Sequence, residues 1–223
     1  MDLHLSSEQT LLRDSAAKFI GAAGPKVARG SRQQDPSFSR ARLKEAGELG
    51  WLGMLVPTSA DGLGLGLTEL ALVLEQAGRG LVCEPIGFAA ISAAALAQGH
   101  APHPMLKRAM SGEALIIPAL QENAHGTDLL APKTHASGTN GSLRLTGTKT
   151  FVCADGAEGF LVSAGGGDGP ALYYVARDTA GCSLSATETV DGRKLATLTL
   201  DNAAADFIPP RQSSRSAVEA PSG

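Results

Sequence analysis

The chain has 223 residues, 43% of them hydrophobic and 18% charged, enough for two compact units with ordinary apolar cores. Lys and Arg number 19 against 22 Asp and Glu, and the balance stays even, with 11 basic and 10 acidic residues up to Gly112 and 8 and 12 beyond it. No basic tract or domain is present to neutralise phosphates, so nucleic acid is not expected as a partner.

In chain order, the start Met1-Asp2-Leu3-His4 lacks the basic region and apolar core of a secretory signal. Ser6 with Gln9 makes a capping-box start, and Leu12, Ala16, Phe19 and Ile20 then share one face. This predicts a helix over roughly Ser7 to Ala23, closed by Gly21 and Gly24-Pro25. A second helix is predicted from Ser39 to Leu49. A third begins at Thr68, with Leu67, Leu70, Ala71, Leu74 and Ala77 in one buried stripe, and ends at Gly78 and Gly80. The Ala-rich segment Ile86 to Gln98 and the shorter Pro104 to Met110 complete five helices. The longest uncharged apolar stretch, Ile86 to Ala97, falls short of the roughly 20 residues that span a bilayer and reads as a buried core helix. No membrane span is therefore expected.

After Gly112 the pattern changes to short apolar runs separated by two-residue turn signals. Asn140-Gly141, Asp168-Gly169 and Asp191-Gly192 predict three hairpins. Strands this short and numerous favour a small antiparallel barrel or sandwich over an open sheet. The expected architecture is an all-α N-terminal helical domain over 1–112, a small antiparallel β-barrel domain over 113–208, and an irregular tail over 209–223. Cys83, Cys153 and Cys182 are odd in number and widely spaced, which fits reduced thiols in a cytoplasmic protein.

Several local patterns have plain structural readings. Gly62-x-Gly64-x-Gly66 lacks the G-x-G-x-x-G spacing and any surrounding βαβ pattern, and reads as a turn-rich loop entering the third helix. His100 and His103 are flanked by prolines and have no acidic or thiol companion, so they read as a surface connector and no metal site is expected. Gly165-Gly166-Gly167 reads as a flexible hairpin tip, and Arg144, Thr148 and Lys149 as a solvated strand face.

Four motifs carry a resemblance. Gly50-Trp51-Leu52-Gly53-Met54-Leu55-Val56-Pro57, followed by Asp61-Gly62-Leu63-Gly64-Leu65-Gly66-Leu67-Thr68-Glu69, resembles the N-terminal domain of acyl-CoA dehydrogenases. Ala119-Leu120-Gln121-Glu122-Asn123-Ala124-His125-Gly126-Thr127-Asp128 is similar to the family's flavin loop, commonly Thr-Glu-Pro-Gly-Ala-Gly-Ser-Asp. Leu145-Thr146-Gly147-Thr148-Lys149-Thr150-Phe151-Val152-Cys153 resembles its Gly-x-Lys-x-Trp-Ile-Thr strand.

The resemblance implies FAD as cofactor and an acyl-CoA thioester as substrate, desaturated at its α,β carbons with hydride transfer to the flavin. It also implies an electron-transfer flavoprotein or similar acceptor, and a homo- or hetero-oligomer. Carried over, the cofactor contacts fall on Leu120, Gln121, Gly126, Thr127, Phe151, Val152 and Cys153, with Thr127 also touching substrate. Phe151 stands where the family has Trp and loses the indole donor; Cys153 stands where it has Thr and offers only a weak S–H donor. Gln121, Asn123 and His125 replace the loop's Thr, Pro and an Ala. His125 reads either as a contact to cofactor phosphate or substrate, or as a solvent-facing loop residue. The family's proton-abstracting glutamate lies on a C-terminal helical domain outside these motifs, so no catalytic residue is assigned, and the sequence reads as truncated before that domain. Two functions follow: an acyl-CoA dehydrogenase, incomplete as this chain, or a non-catalytic partner subunit or binding module that has lost FAD binding.

Overall fold

The computed structural model describes residues 4–21, 24–124, 128–139, 141–167, 169–190 and 193–210. Helix α1 (Ser7–Ile20) starts on the predicted capping box: Ser6 Oγ accepts from the Gln9 N–H at 3.2 Å, and Gln9 Oε1 accepts from the Ser6 N–H at 3.1 Å. Helix α2 (Pro25–Arg32) has no counterpart among the five predicted helices. The sequence reading makes Gly24-Pro25 a stop, whereas Pro25 opens a helix, a position where its missing N–H costs nothing.

Helix α3 (Arg40–Glu48) is capped by Ser39, whose hydroxyl accepts from the Arg42 N–H at 3.3 Å. It closes on Gly50 at φ +78°, with the Gly50 N–H on Gly47 O and the Trp51 N–H on Ala46 O. This paired closure needs a left-handed residue, which glycine supplies without strain. The turn drops Trp51 into the core, edge-on to Phe19 with ring centroids 5.0 Å apart. A 3-10 turn at Thr58–Ala60 and the glycine-rich loop lead into α4 (Leu67–Arg79). A Cβ on Gly62 would lie 2.2 Å from Val56 O, so that glycine serves close backbone approach. Helices α5 (Ile86–Leu96) and α6 (Leu106–Met110) complete this half. Among the described residues no helix is long and apolar enough to cross a membrane.

Eight strands follow: β1 (Ile116–Ala119), β2 (His135–Ser137), β3 (Arg144–Val152), β4 (Gly159–Gly166), β5 (Gly169–Ala176), β6 (Cys182–Glu188), β7 (Lys194–Ala204) and β8 (Asp206–Ile208). The three predicted hairpins form as the antiparallel pairs β2–β3, β4–β5 and β6–β7. Asn140, Asp168, Asp191 and Gly192 of the predicted turns lie outside the described residues. The glycine run is less of a tip than expected, because β4 continues through Gly165 and Gly166.

Two expectations are corrected. The sheet runs β6-β7-β3-β2-β4-β5-β8, and its end strands do not pair with each other, so it is open rather than a barrel among the described residues. It is also mixed rather than purely antiparallel, because β1 lies parallel to β4. The chain between those two strands contains β2 and β3, which gives the long return that parallel pairing requires. β4 is central, and Phe160, Leu161 and Val162 are buried in succession, the mark of a strand covered on both faces.

One apolar core joins the two halves, with Leu43, Trp51, Val73 and Ile86 of the helices packed in the same cluster as Leu115, Ile117, Phe160 and Leu198. Polar ties stitch the α2–α3 link to the turn before β4. The Ser37 N–H donates to Asp155 Oδ2 at 2.7 Å, and Arg40 Nη1 lies 2.9 Å from Glu158 Oε1.

Candidate functional site

After β1 the chain leaves the sheet as Leu120-Gln121-Glu122-Asn123 and turns over the end of β3. The Thr150 N–H donates to Gln121 O at 2.7 Å, which joins the two segments that the motifs single out. A buried polar cluster lies beneath that joint. Lys149 Nζ contacts Glu122 Oε1 at 2.7 Å, Ser163 Oγ at 2.9 Å and Leu120 O at 3.4 Å. Glu122 also accepts from the N–H groups of Lys133 at 2.6 Å and Thr134 at 2.7 Å, and from the Thr134 hydroxyl at 2.6 Å.

Lys149 is therefore fully buried, which corrects its expected place on a solvated strand face; Arg144 and Thr148 are exposed as expected. Burial pushes the Glu122 carboxyl up, but the bonds from Lys149, Thr134 and the two backbone N–H groups outweigh it and hold the pKa at about 2. Burial lowers the Lys149 pKa, and the adjacent carboxylate recovers part of that shift. A carboxylate held so firmly in its ionised form is a poor base, and Glu122 acts as an anchor.

The bulge in β3 explains how the anchor and the exposed face coexist. Lys149 pairs with Leu198 and Val152 with Ala196, so three steps on β3 oppose two on β7. Residues three apart in a regular strand point to opposite faces, yet Lys149 and Val152 are both buried. The inserted residue absorbs the mismatch, and Phe151 takes φ +55°, a left-handed value that costs a bulky residue roughly 1–2 kcal/mol. As a result, Phe151 keeps 51% of its surface exposed beside the Gln121 joint. Beside it the Thr150 Oγ1 is buried with no hydrogen-bond partner among the described residues.

The expected cofactor residues divide accordingly. Gln121 is joined to Thr150, the neighbour of Phe151, through its backbone O, and its side chain donates to Asn123 O at 2.9 Å, which stiffens the loop. Leu120 lines a groove of about 860 Å3 along β4, β5 and β8. Cys153 lines a separate cavity of about 350 Å3 against the helices. The Val152 side chain is in the core, so only its main chain is available for a cofactor contact. Gly126, Thr127 and His125 lie outside the described residues. Sequence reasoning missed the Lys149–Glu122 pair, although both residues stand inside the quoted motifs and Lys149, four residues from the buried Leu145, shares its face by simple alternation.

His103 is less exposed than a surface connector. Its ring packs 4.6 Å from that of Tyr174, and Nε2 lies 3.3 Å from Asp206 Oδ2. Among the described residues no group of three or more His, Cys, Asp or Glu side chains gathers as a metal site.

A helical half thus shares its core with an open mixed sheet, and a bulged strand leaves an aromatic side chain exposed beside a pinned loop. Residues 6–102 match the family described as acyl-CoA dehydrogenase, N-terminal domain. Benzylmalonyl-CoA dehydrogenase from Aromatoleum aromaticum is 29% identical over 194 residues, 82% of this chain and 51% of that protein. Among solved structures, the ChsE4-ChsE5 complex from Mycobacterium tuberculosis matches with a TM-score of 0.81 at 26% identity, covering 93% of this chain and 58% of that one. An acyl-CoA dehydrogenase complexed with FAD from Bacillus anthracis matches with a TM-score of 0.69 at 27% identity, covering 92% and 37%. The first half of this chain is thus an acyl-CoA dehydrogenase N-terminal domain, and over most of its length the chain is similar to acyl-CoA dehydrogenases. It spans about half the length of the curated relatives it matches, 51% of the first and 40% of another.

Proposed function

We propose that this chain supplies the helical and β portions of an FAD-dependent dehydrogenase acting on an acyl-CoA thioester, with an electron-transfer flavoprotein or similar acceptor downstream and an oligomeric working form. The observation that carries the reading is the 2.7 Å bond from the Thr150 N–H to Gln121 O, which sets the loop and the Phe151 strand side by side as one wall.

The residues present suit a flavin in three respects. Phe151 offers an aromatic face half open to solvent, held there by backbone strain of the kind that accumulates at binding sites. Thr150 brings a buried hydroxyl with unmet hydrogen-bonding capacity. The anchor of Lys149, Glu122, Thr134 and Ser163 keeps the loop base from moving away when a ring is inserted. Leu120, Gln121, Phe151 and Cys153 would hold the ring, with the Val152 main chain, and Gly126 and Thr127 would extend the contact. When bound, FAD supplies the two-electron acceptor that the β-hydrogen of the acyl group needs. The chain's own part is to orient that group, exclude water and polarise it. The α-proton is not given to Glu122, whose carboxylate is committed to Lys149 and Thr134.

Titration of the chain with FAD, read by quenching of flavin fluorescence, tests this. Saturable uptake that weakens in Phe151→Ala supports the reading; no uptake at micromolar FAD ends it. A second reading, a partner subunit that no longer holds flavin, is favoured by the weak S–H donor at Cys153 and agrees with a two-component relative such as the ChsE4-ChsE5 complex. Absence of uptake would select it.

A further inference from the structure

The open sheet ends on β6 at one side and on β8 at the other. β8 is 3 residues long, carries the charge of Asp206 and runs straight into Pro209 and Pro210, all features that blunt an edge. β6 has none of them. Its 7 residues, Cys182-Ser183-Leu184-Ser185-Ala186-Thr187-Glu188, include no proline and no basic residue, and the only charge stands at the last position. Ser183 and the run from Ser185 to Glu188 are exposed.

Among the described residues β6 pairs with β7 and with no other strand. Two bonds that flank this ladder fix which backbone groups it uses. The Thr189 N–H donates to Arg193 O at 2.8 Å, and the Asp201 N–H donates to Gly181 O at 2.8 Å. In an antiparallel pair, bonded and non-bonded residues alternate, so Ser183, Ser185 and Thr187 turn their backbone groups toward β7, and Cys182, Leu184, Ala186 and Glu188 turn theirs away. Cys182 agrees with this phase, because its N–H reaches outward to Thr179 O at 3.0 Å. The outward groups of Leu184, Ala186 and Glu188 have no backbone partner among the described residues.

Outward donors and acceptors on every second residue fit one more extended strand. The sequence of β6 suits its own image. Laid antiparallel about Ala186, two copies set Ala186 against Ala186, Leu184 against Glu188, and Ser185 against Thr187, a hydroxyl pair that favours strand association. The two Glu188 carboxylates then stand four residues apart along the strand, roughly 13 Å, which is beyond the screening length at physiological salt. We propose that β6 is the seam of a two-fold dimer of this chain, in which the β6 of a second copy continues the sheet through the backbone groups at 184, 186 and 188. Pairing about a two-fold axis uses both edges up, so assembly stops at two copies. The seam does not rest on the flavin reading.

Sedimentation of the full chain over a concentration series tests this. The wild type should pass from one chain to two and form nothing larger. Ala186→Pro removes an N–H that faces away from β7, where an edge strand accepts proline, and should abolish the dimer while the circular dichroism spectrum and urea midpoint hold. Ala186→Lys and Ala186→Glu change an exposed side chain, so neither depends on proline being tolerated. Each sets like charges face to face across the axis and should weaken the dimer by on the order of tenfold or more. An equimolar mixture of the two should associate again, because residue 186 meets its own counterpart in this register. A wild type that stays monomeric throughout overturns the proposal. So does a dimer that survives both charged variants, or a mixture of them that stays apart.

Discussion

The two sides of the β3 bulge contrast sharply. On the inner side Lys149 and Glu122 are out of water and share hydrogen bonds with Thr134, Lys133, Ser163 and Leu120. On the outer side Phe151 is open and Gln121 half-buried, its side chain donating to Asn123 O. A site of this kind separates support from contact: the support tolerates little change, while the contacting residues can vary without loss of the fold. Among the described departures from the family's motif, Phe151 and Asn123 are exposed, Gln121 is half-buried and Cys153 packs partly on the core, while the anchoring pair itself keeps the motif's residues.

The contrast predicts that the largest effect comes from the inner side. Lys149→Met leaves the Glu122 carboxylate without its cation, and losing one partner of a buried pair costs on the order of 3–5 kcal/mol. Urea denaturation should show that loss, accompanied by loosening of the loop after β1. A change below ~1 kcal/mol would mean that the pair does not hold the loop base.

Next in size is a pH effect. Glu122 has a folded pKa of about 2, below its ordinary 4.5, so its contribution is present in full above pH 4.5 and is lost as the pH falls toward 2. The span corresponds to roughly 3 kcal/mol. Unfolding measured across that window should slope downward in the wild type. In Glu122→Gln the drop should flatten, from a lower starting stability at pH 7. An unchanged slope would place the acid sensitivity in other carboxylates.

Much of this architecture is legible in the residues. The capping box at Ser6 and the three hairpins follow from local periodicity and turn chemistry, which act over a few residues. The expected stripe of α4 does not hold: Leu67, Ala71 and Leu74 are exposed, and α4 buries Leu70, Val73 and Gln76 instead. What was not legible depends on the fold as a whole. Helix α2 needed Pro25 read as a first-turn residue rather than a breaker, and the open mixed sheet depends on β1 returning beside β4. The motif resemblance names the two segments that the Thr150–Gln121 bond joins, but gives no sign of how the joint is built. The bulge after Lys149, which leaves Phe151 exposed and returns Val152 to the buried face, is set by the register between β3 and β7, which single-strand alternation cannot encode.

The outer side should respond in the opposite way to the inner. Phe151→Gly relieves a left-handed phenylalanine, so stability should stay level or rise by up to ~1 kcal/mol, while FAD uptake falls. Stability and binding moving apart is the signature of a contact residue. If both fall together, Phe151 is part of the core support and the division drawn at the bulge is wrong.

The smallest expected effect is at Cys153, and it bears most directly on which of the two functions holds. The thiol is partly buried, its pKa is raised by that burial, and it offers only a weak S–H donor where the family motif has a hydroxyl. Cys153→Thr restores an O–H of similar volume at the mouth of the cavity, and a regained hydrogen bond is worth ~0.5–1.5 kcal/mol. If the wall holds a flavin, Cys153→Thr should tighten FAD by about two- to tenfold with no shift in the urea midpoint. Unchanged affinity would mean that the side chain at 153 does not reach the ring. Flavin uptake that appears only in Cys153→Thr, with none in the wild type, would identify the natural chain as a partner subunit one substitution away from cofactor binding.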